Sequence, residues 1–251
     1  MTNHIHCVRD GDVLQITLAR PEKKNALTSA MYETLIVLLR EADASEAIRA
    51  VTLEGSGGSF CAGNDIGDFL SGARDMHNAP AFRFIKAIAA CDTPIVAAVE
   101  GVAVGVGTTM LLHCDLAYAA PDAKFRMPFV DLGLVPEAAA SLIVPQLAGM
   151  KKAAEWLMLG DGFDAADAAR FGIVNAVIDA DTLRTHARAQ ARRLASKPPA
   201  ALAATRALMR GDRAHVLARV DAEAIAFGAA LASPEARAAF MAFMEKGKAK
   251  G

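Results

Sequence analysis

The longest apolar stretch of the chain runs from Pro94 to Leu112, broken by Glu100, Gly101, Gly105 and Gly107. A membrane-crossing helix needs about 20 predominantly apolar residues, so this stretch does not read as one. It reads as a buried strand followed by a turn and a helix that opens in the glycine cluster.

The flanking sequence alternates between strand and helix patterns. Ile5 to Arg9 and Val13 to Ala19 flank Asp10-Gly11-Asp12, which is hairpin-turn chemistry. Pro21 to Asn25 reads as a polar loop, and Thr28 as the N-cap of a helix with Met31, Leu35, Leu38 and Leu39 at helical spacing. Ala50 to Leu53 reads as a strand ending in a glycine-rich loop. A polar stretch around Ser71 to Asn78 precedes a helix over Phe82 to Ala89. Cys114 to Ala119 and Lys124 to Pro128 read as short strands. Asp164 caps a short helix ended by Gly172, and Val174 to Ile178 reads as a last strand. From about Asp181 onward the chain is alanine-rich and helical. The expected class is α/β with a C-terminal helical subdomain, divided as 1–197 and 198–251.

Composition removes several function classes. A chain that is 53% hydrophobic and 22% charged is not disordered. A net charge of -1 offers no basic excess to neutralise a nucleic-acid backbone, and 6% aromatic residues supply little stacking surface. No nucleic-acid and no membrane partner is expected. Cys7, Cys61, Cys91 and Cys114 form no CxxC pair, and their wide spacing fits a reducing compartment. The first residues lack the apolar core of a signal peptide, so a cytoplasmic location is expected. The six histidines fall in no ligand pattern, and no metal is expected.

Three stretches carry candidate chemistry. Gly101, Gly105 and Gly107 follow a strand and open a helix, where small residues let a ligand approach backbone N–H groups. Met110 stands where a dinucleotide fingerprint needs glycine, so that reading fails; close helix-on-sheet packing explains the cluster equally well. Ser59 to Ile66 forms a second loop able to present N–H groups. Cys61 is its sharper but poorly supported candidate, because no histidine can be placed beside it. Pro136-Glu137 is by itself an ordinary helix start. Yet Leu132, Leu134, Val135, Ala138 to Ala140, Leu142 and Ile143 surround Glu137, and burial among them would raise its pKa as a general base requires.

Taken together, ARPEKKNALTSAMY, FCAGNDI, PIVAAVEGVAVGVGTTMLLHCDLAYAA, FRMPFVDLGLVPEAAAS and GDGFDAADAARFGIVNAVI resemble the enoyl-CoA hydratase/isomerase (crotonase) family in order and spacing. The resemblance covers nearly the whole chain. It implies a crotonase-like spiral of ββα units with a C-terminal helical subdomain that drives homotrimers, often paired into hexamers. It also implies an acyl-CoA thioester as substrate, of the kind handled in fatty-acid β-oxidation, with coenzyme A as part of the substrate rather than a cofactor. The thioester oxygen would sit between the backbone N–H groups of Asn64 and Val106, each donor contributing about 3–4 kcal/mol to the developing enolate. Family members usually carry glycine at the position of Val106. Ala62, Asp65 and Ile66 would lie near the adenine, and Lys23 and Lys24 would reach phosphates. Phe69, Leu70, Phe82 and Phe129 are candidates for the acyl pocket, with Phe84 and Ile85 beside them.

Departures from the family pattern narrow the expectation. The two glutamates that hydratases use to hold and activate water fall at Thr109 and Phe129, which can do neither. Glu137 stands where hydratases commonly carry glycine, and GLVPE followed by small residues resembles peroxisomal-type Δ3,Δ2-enoyl-CoA isomerases with one glutamate as acid and base. The leading expectation is therefore such an isomerase. A ring-oxepin or epoxyphenylacetyl-CoA-type isomerase and an enoyl-CoA hydratase are the alternatives within the family. A non-catalytic acyl-CoA-binding module is the alternative of another class.

Overall fold

A computed structural model of the chain describes residues 2–71 and 76–248. Strands β1 (Ile5–Asp10) and β2 (Val13–Leu18) form the expected hairpin, with Asp10 opposite Val13. Pro21–Lys23, expected as loop, is one 3-10 turn closed by Lys24 in a left-handed conformation. Thr28 caps α1 (Ser29–Ala44) by accepting from the Met31 N–H at 3.3 Å. Next come β3 (Ala50–Gly55), α2 (Ile66–Ser71), α3 (Pro80–Ala90) and β4 (Ile95–Val99). The glycine cluster then departs from the expected turn and helix. Gly101 and Gly105, both at positive φ, isolate a three-residue strand, β5 (Val102–Val104), before the short helix α4 (Val106–Thr109).

Strands β6 (Leu116–Ala119) and β7 (Lys124–Arg126) follow as expected, and then helix α5 (Ala140–Leu157). Its start corrects the sequence reading. Pro136 and Glu137 precede the helix, because Ala138 and Ala139 adopt φ of 59° and 55°, and the helix begins only at Ala140. The pair β8 (Phe163–Asp164) and α6 (Ala165–Arg170) is joined by the Asp164 cap. The last strand, β9, shrinks to Ala176–Val177. Helices α7 (Ala180–Ala195), α8 (Pro199–Arg210), α9 (Arg213–Leu231) and α10 (Pro234–Lys248) complete the described chain. No helix among the described residues is long and apolar enough to cross a membrane.

The main sheet has the order β1-β2-β3-β4-β6-β9 and is parallel from β2 onward; a second sheet, β5-β7-β8, stands beside it. Successive side chains on a strand face opposite sides, so β4 splits its residues between two layers. Ile95, Ala97 and Val99 join the large core with α1 and α3, whereas Val96 and Ala98 pack under Leu183, Ala187 and Ala191 of α7. Mixed strands with flanking helices and the helical set α7–α10 give the crotonase-like ββα spiral with its C-terminal helical subdomain. Helix α9 packs back on α3, so Val220, Ala224 and Phe227 belong to the large core.

Candidate active site

Loops leaving the carboxyl ends of parallel strands are where open α/β sheets gather ligands. Two such loops meet here. After β3, residues 56–65 fold back so that Cys61 pairs with Ala103 of β5: the Cys61 N–H donates to Val102 O and the Val104 N–H to Cys61 O, both at 2.9 Å. Asn25, fully buried, pins the loop from the other side by donating to Ser56 O at 2.9 Å and Ser59 O at 2.7 Å. The approach is close enough to dictate glycine at 107, where a Cβ would stand 2.3 Å from Cys61 O.

The two loops wall a cavity of about 420 Å³ that touches Asn64, Val106, Phe69, Phe129, Phe227 and Phe240. Neither the Asn64 nor the Val106 N–H has an acceptor among the described residues, although their neighbours Gly105 and Asp65 are both bonded. Of the expected coenzyme residues, Lys23, Ala62, Asp65 and Ile66 line the same cavity. Asp65 is held there by Arg20 at 2.8 Å. Lys24 stands outside the lining, its carbonyl accepting from the Ala62 N–H. Phe82 also stands outside, because it is 1% exposed in the core with its ring edge-on to Phe227 at 5.3 Å. Phe84 and Ile85 are core residues too, and the Leu70 side chain lies outside the described residues.

Glu137, 4% exposed, is not among the residues that line this cavity. The Thr109 hydroxyl donates to its Oε1, while its Oε2 is buried and has no partner among the described residues. Burial pushes the carboxyl up to about 8; the Thr109 bond opposes this and the nearby Glu223 carboxylate adds to it. Two consecutive left-handed alanines follow, each costing an L-residue about 1–2 kcal/mol. The nearby carboxylate of Asp131 is half-exposed and paired with Arg126 at 2.9 Å. Cys61 is buried with its thiol pushed up to about 12 by burial, so it is no nucleophile.

Residues 9–250 match the family described as Enoyl-CoA hydratase/isomerase. The chain belongs to that family. As a family member it is an acyl-CoA enzyme. It is 36% identical to a protein of Rhodobacter capsulatus named "Probable enoyl-CoA hydratase", over 92% of this chain and 91% of that one. It is 34% identical to the 1,2-epoxyphenylacetyl-CoA isomerase of Escherichia coli, over 74% of each chain. To enoyl-CoA delta isomerase 2 of Rattus norvegicus it is 33% identical, over 85% of this chain and 56% of that one. Among solved structures, OdaA of Pseudomonas aeruginosa is 42% identical with a TM-score of 0.93, covering 97% of this chain and 99% of that one.

Several residues at this family member's site escape a reading of the sequence. Tyr32 sits on the buried stripe of α1 and donates its hydroxyl to Asn64 Oδ1. Glu223 occupies the buried face of α9, between Val220 and Phe227. Phe227 and Phe240 wall the cavity from the C-terminal helices. The signal was present in each polar case: a tyrosine or glutamate at a core-facing helix position must find a partner there.

Proposed function

We propose that this chain is an enoyl-CoA isomerase that shifts a Δ3 double bond to Δ2, with Glu137 as its only acid and base. One observation carries the reading: Glu137 is a buried carboxylate with one oxygen bonded to Thr109, on the helix that Val106 opens, and the other without a partner among the described residues. The Asn64 and Val106 amides hold the thioester oxygen as it gains charge. Glu137 Oε2 takes the C2 proton, the dienolate rests against the two amides, and the same carboxyl returns the proton to C4. A carboxyl raised toward 8 is a stronger base than an ordinary one and still ionises near neutral pH. Thr109 and Phe129 offer no second carboxylate to activate water.

A second reading within the family rests on the cavity wall and the relatives' names. Phe69, Phe129, Phe227 and Phe240 make an aromatic lining suited to an aryl acyl group, and one relative is named for an epoxyphenylacetyl-CoA isomerase. Another relative is named a hydratase. The purified protein is given 3-hexenoyl-CoA, 1,2-epoxyphenylacetyl-CoA and crotonyl-CoA in parallel. The proposal expects fastest turnover of 3-hexenoyl-CoA, lost by several orders of magnitude in Glu137→Gln while acyl-CoA binding persists. Faster reaction of either other substrate replaces it with the corresponding alternative, and no turnover of any leaves an acyl-CoA-binding module.

A further inference from the structure

The turn after Glu137 is held from two distant elements. On one flank, Glu223 of α9 accepts from the Ala139 N–H at 2.6 Å, the Ser141 N–H at 3.0 Å and the Ser141 hydroxyl at 2.5 Å. On the other, His113 Nε2 lies 2.9 Å from Ala138 O, so this nitrogen carries the proton and donates. Ala138, Ala139 and Ala140 are fully buried, and Glu223 is 6% exposed. A left-handed pair of alanines persists only where its surroundings over-determine it. Here the determinants are a carboxylate and an imidazole, neither of them among the residues that line the cavity, and neither serves as acid or base in the proton shift.

We propose that Glu223 is a positioning residue for Glu137: its carboxylate clamps the Ala139 and Ser141 amides, fixing the left-handed turn that sets where the Glu137 carboxyl stands. The assignment rests on Glu137 being the base. It explains why a helix can begin at Ala140 without a capping side chain of its own, since Ala139 supplies none. An anionic carboxylate at those amides also suits the positive end of α5. The same helix α9 carries Phe227 into the cavity wall, so the element that shapes the acyl site also holds the base. Glu223 faces the Ser141 hydroxyl, with Arg219 one turn earlier at 3.4 Å from that hydroxyl. Around Glu137 itself stand Thr109 from α4, Tyr32 from α1 and the Glu223 charge.

The test is kinetic, on the full chain with 3-hexenoyl-CoA. Glu223→Gln keeps the side-chain volume but replaces one acceptor oxygen with a donor facing an N–H. The expected result is a kcat lower by about 10–100-fold with KM changed less than about two-fold, because misplacing the base harms chemistry rather than binding. Removing the neighbouring charge also displaces the kcat–pH midpoint to lower pH, which a merely structural role would not do. In a Glu137→Gln background the same substitution changes the residual rate by less than about two-fold, because it acts only through Glu137. An unchanged kcat and pH midpoint, or an equal loss in both backgrounds, overturns the assignment. If Glu223→Gln does not fold by circular dichroism, Ser141→Ala removes one bond of the clamp while keeping the charge, and should show the same kcat-selective, Glu137-dependent loss at about 3–10-fold. Near-wild-type turnover by Glu137→Gln alone removes the base assignment itself, and it is read without any Glu223 variant.

Discussion

Tyr32 donates its phenolic proton to Asn64 Oδ1 at 2.5 Å, tying the buried face of α1 to the loop that walls the cavity. Burial first, and then Cys61, Glu137 and Asp68, push the phenol well above its usual range, so it stays a donor at any working pH. The Asn64 side chain is thus an anchor for its own amide. Asn64→Ala keeps the N–H but strands a buried hydroxyl, an effect of about 1–3 kcal/mol. We expect kcat to fall about 5–30-fold in Asn64→Ala and less in Tyr32→Phe, which leaves only the amide oxygen unpaired. The double variant should be no worse than the worse single variant. A double-mutant cycle on kcat checks this, and strictly additive losses would mean the bond contributes nothing.

Val106→Pro isolates the second amide. Val106 opens α4, where proline's fixed φ is tolerated, and Gly105 before it accepts the restriction proline imposes. Its N–H has no acceptor among the described residues, so the substitution breaks no bond of the fold. The variant should therefore fold and lose about 10²–10³ in kcat if the amide is an oxyanion donor. Circular dichroism confirms folding, and near-normal turnover by a folded variant would clear Val106 of that role.

How much of this was legible in the sequence depends on the range of the interaction. The Thr28 and Asp164 caps and the β1–β2 hairpin are local, and each was readable from a few neighbouring residues. So was the burial of Glu137, from its aliphatic neighbours. The left-handed Ala138–Ala139 turn was not, because alanine announces no such backbone. Its determinants are His113 and Glu223, 25 and 84 residues away from the groups they bond. The strand β5 was hidden for a similar reason: its three residues become a strand only by pairing with β7 and Cys61. Phe227 lies in the alanine-rich C-terminal tail, far from the loops in sequence, and reaches the cavity only because α9 folds back.

The C-terminal helices leave apolar side chains in the open. Leu208 is 85% exposed, Met209 82% and Ile225 65%, and on α5 Met150 is 72% exposed. Apolar side chains gathered into one exposed patch mark an interface. On that basis we expect a homotrimer or a dimer of trimers by light scattering at micromolar concentration, weakened toward monomer by Leu208→Glu combined with Ile225→Glu. A stable wild-type monomer would count decisively against this.

Glu137 couples activity and stability to pH in opposite directions. Its folded-state pKa is raised from 4.5 to about 8, first by burial and further by Glu223, against the opposing Thr109 bond. The folded protein therefore holds a proton over a range where the unfolded chain has released it. The stability this contributes is fully present below pH 4.5 and is lost as pH rises through about 8. Glu137→Gln stays neutral throughout and escapes that loss. Above pH 8 the variant should be more stable than wild type by roughly 2–4 kcal/mol, taking about 1.4 kcal/mol per pKa unit and allowing for relaxation, with near equality at pH 4.5. His113, lowered to about 4 by burial, titrates alike in both proteins and cancels from the difference. Activity runs the other way, because a base must be ionised: wild-type kcat/KM should climb as pH rises through about 8. Urea unfolding of both proteins at the two ends of this range, with a wild-type pH–rate profile, measures both limbs. A stability difference that does not change with pH, or a flat rate profile, would mean that Glu137 is not the buried group that titrates and reacts.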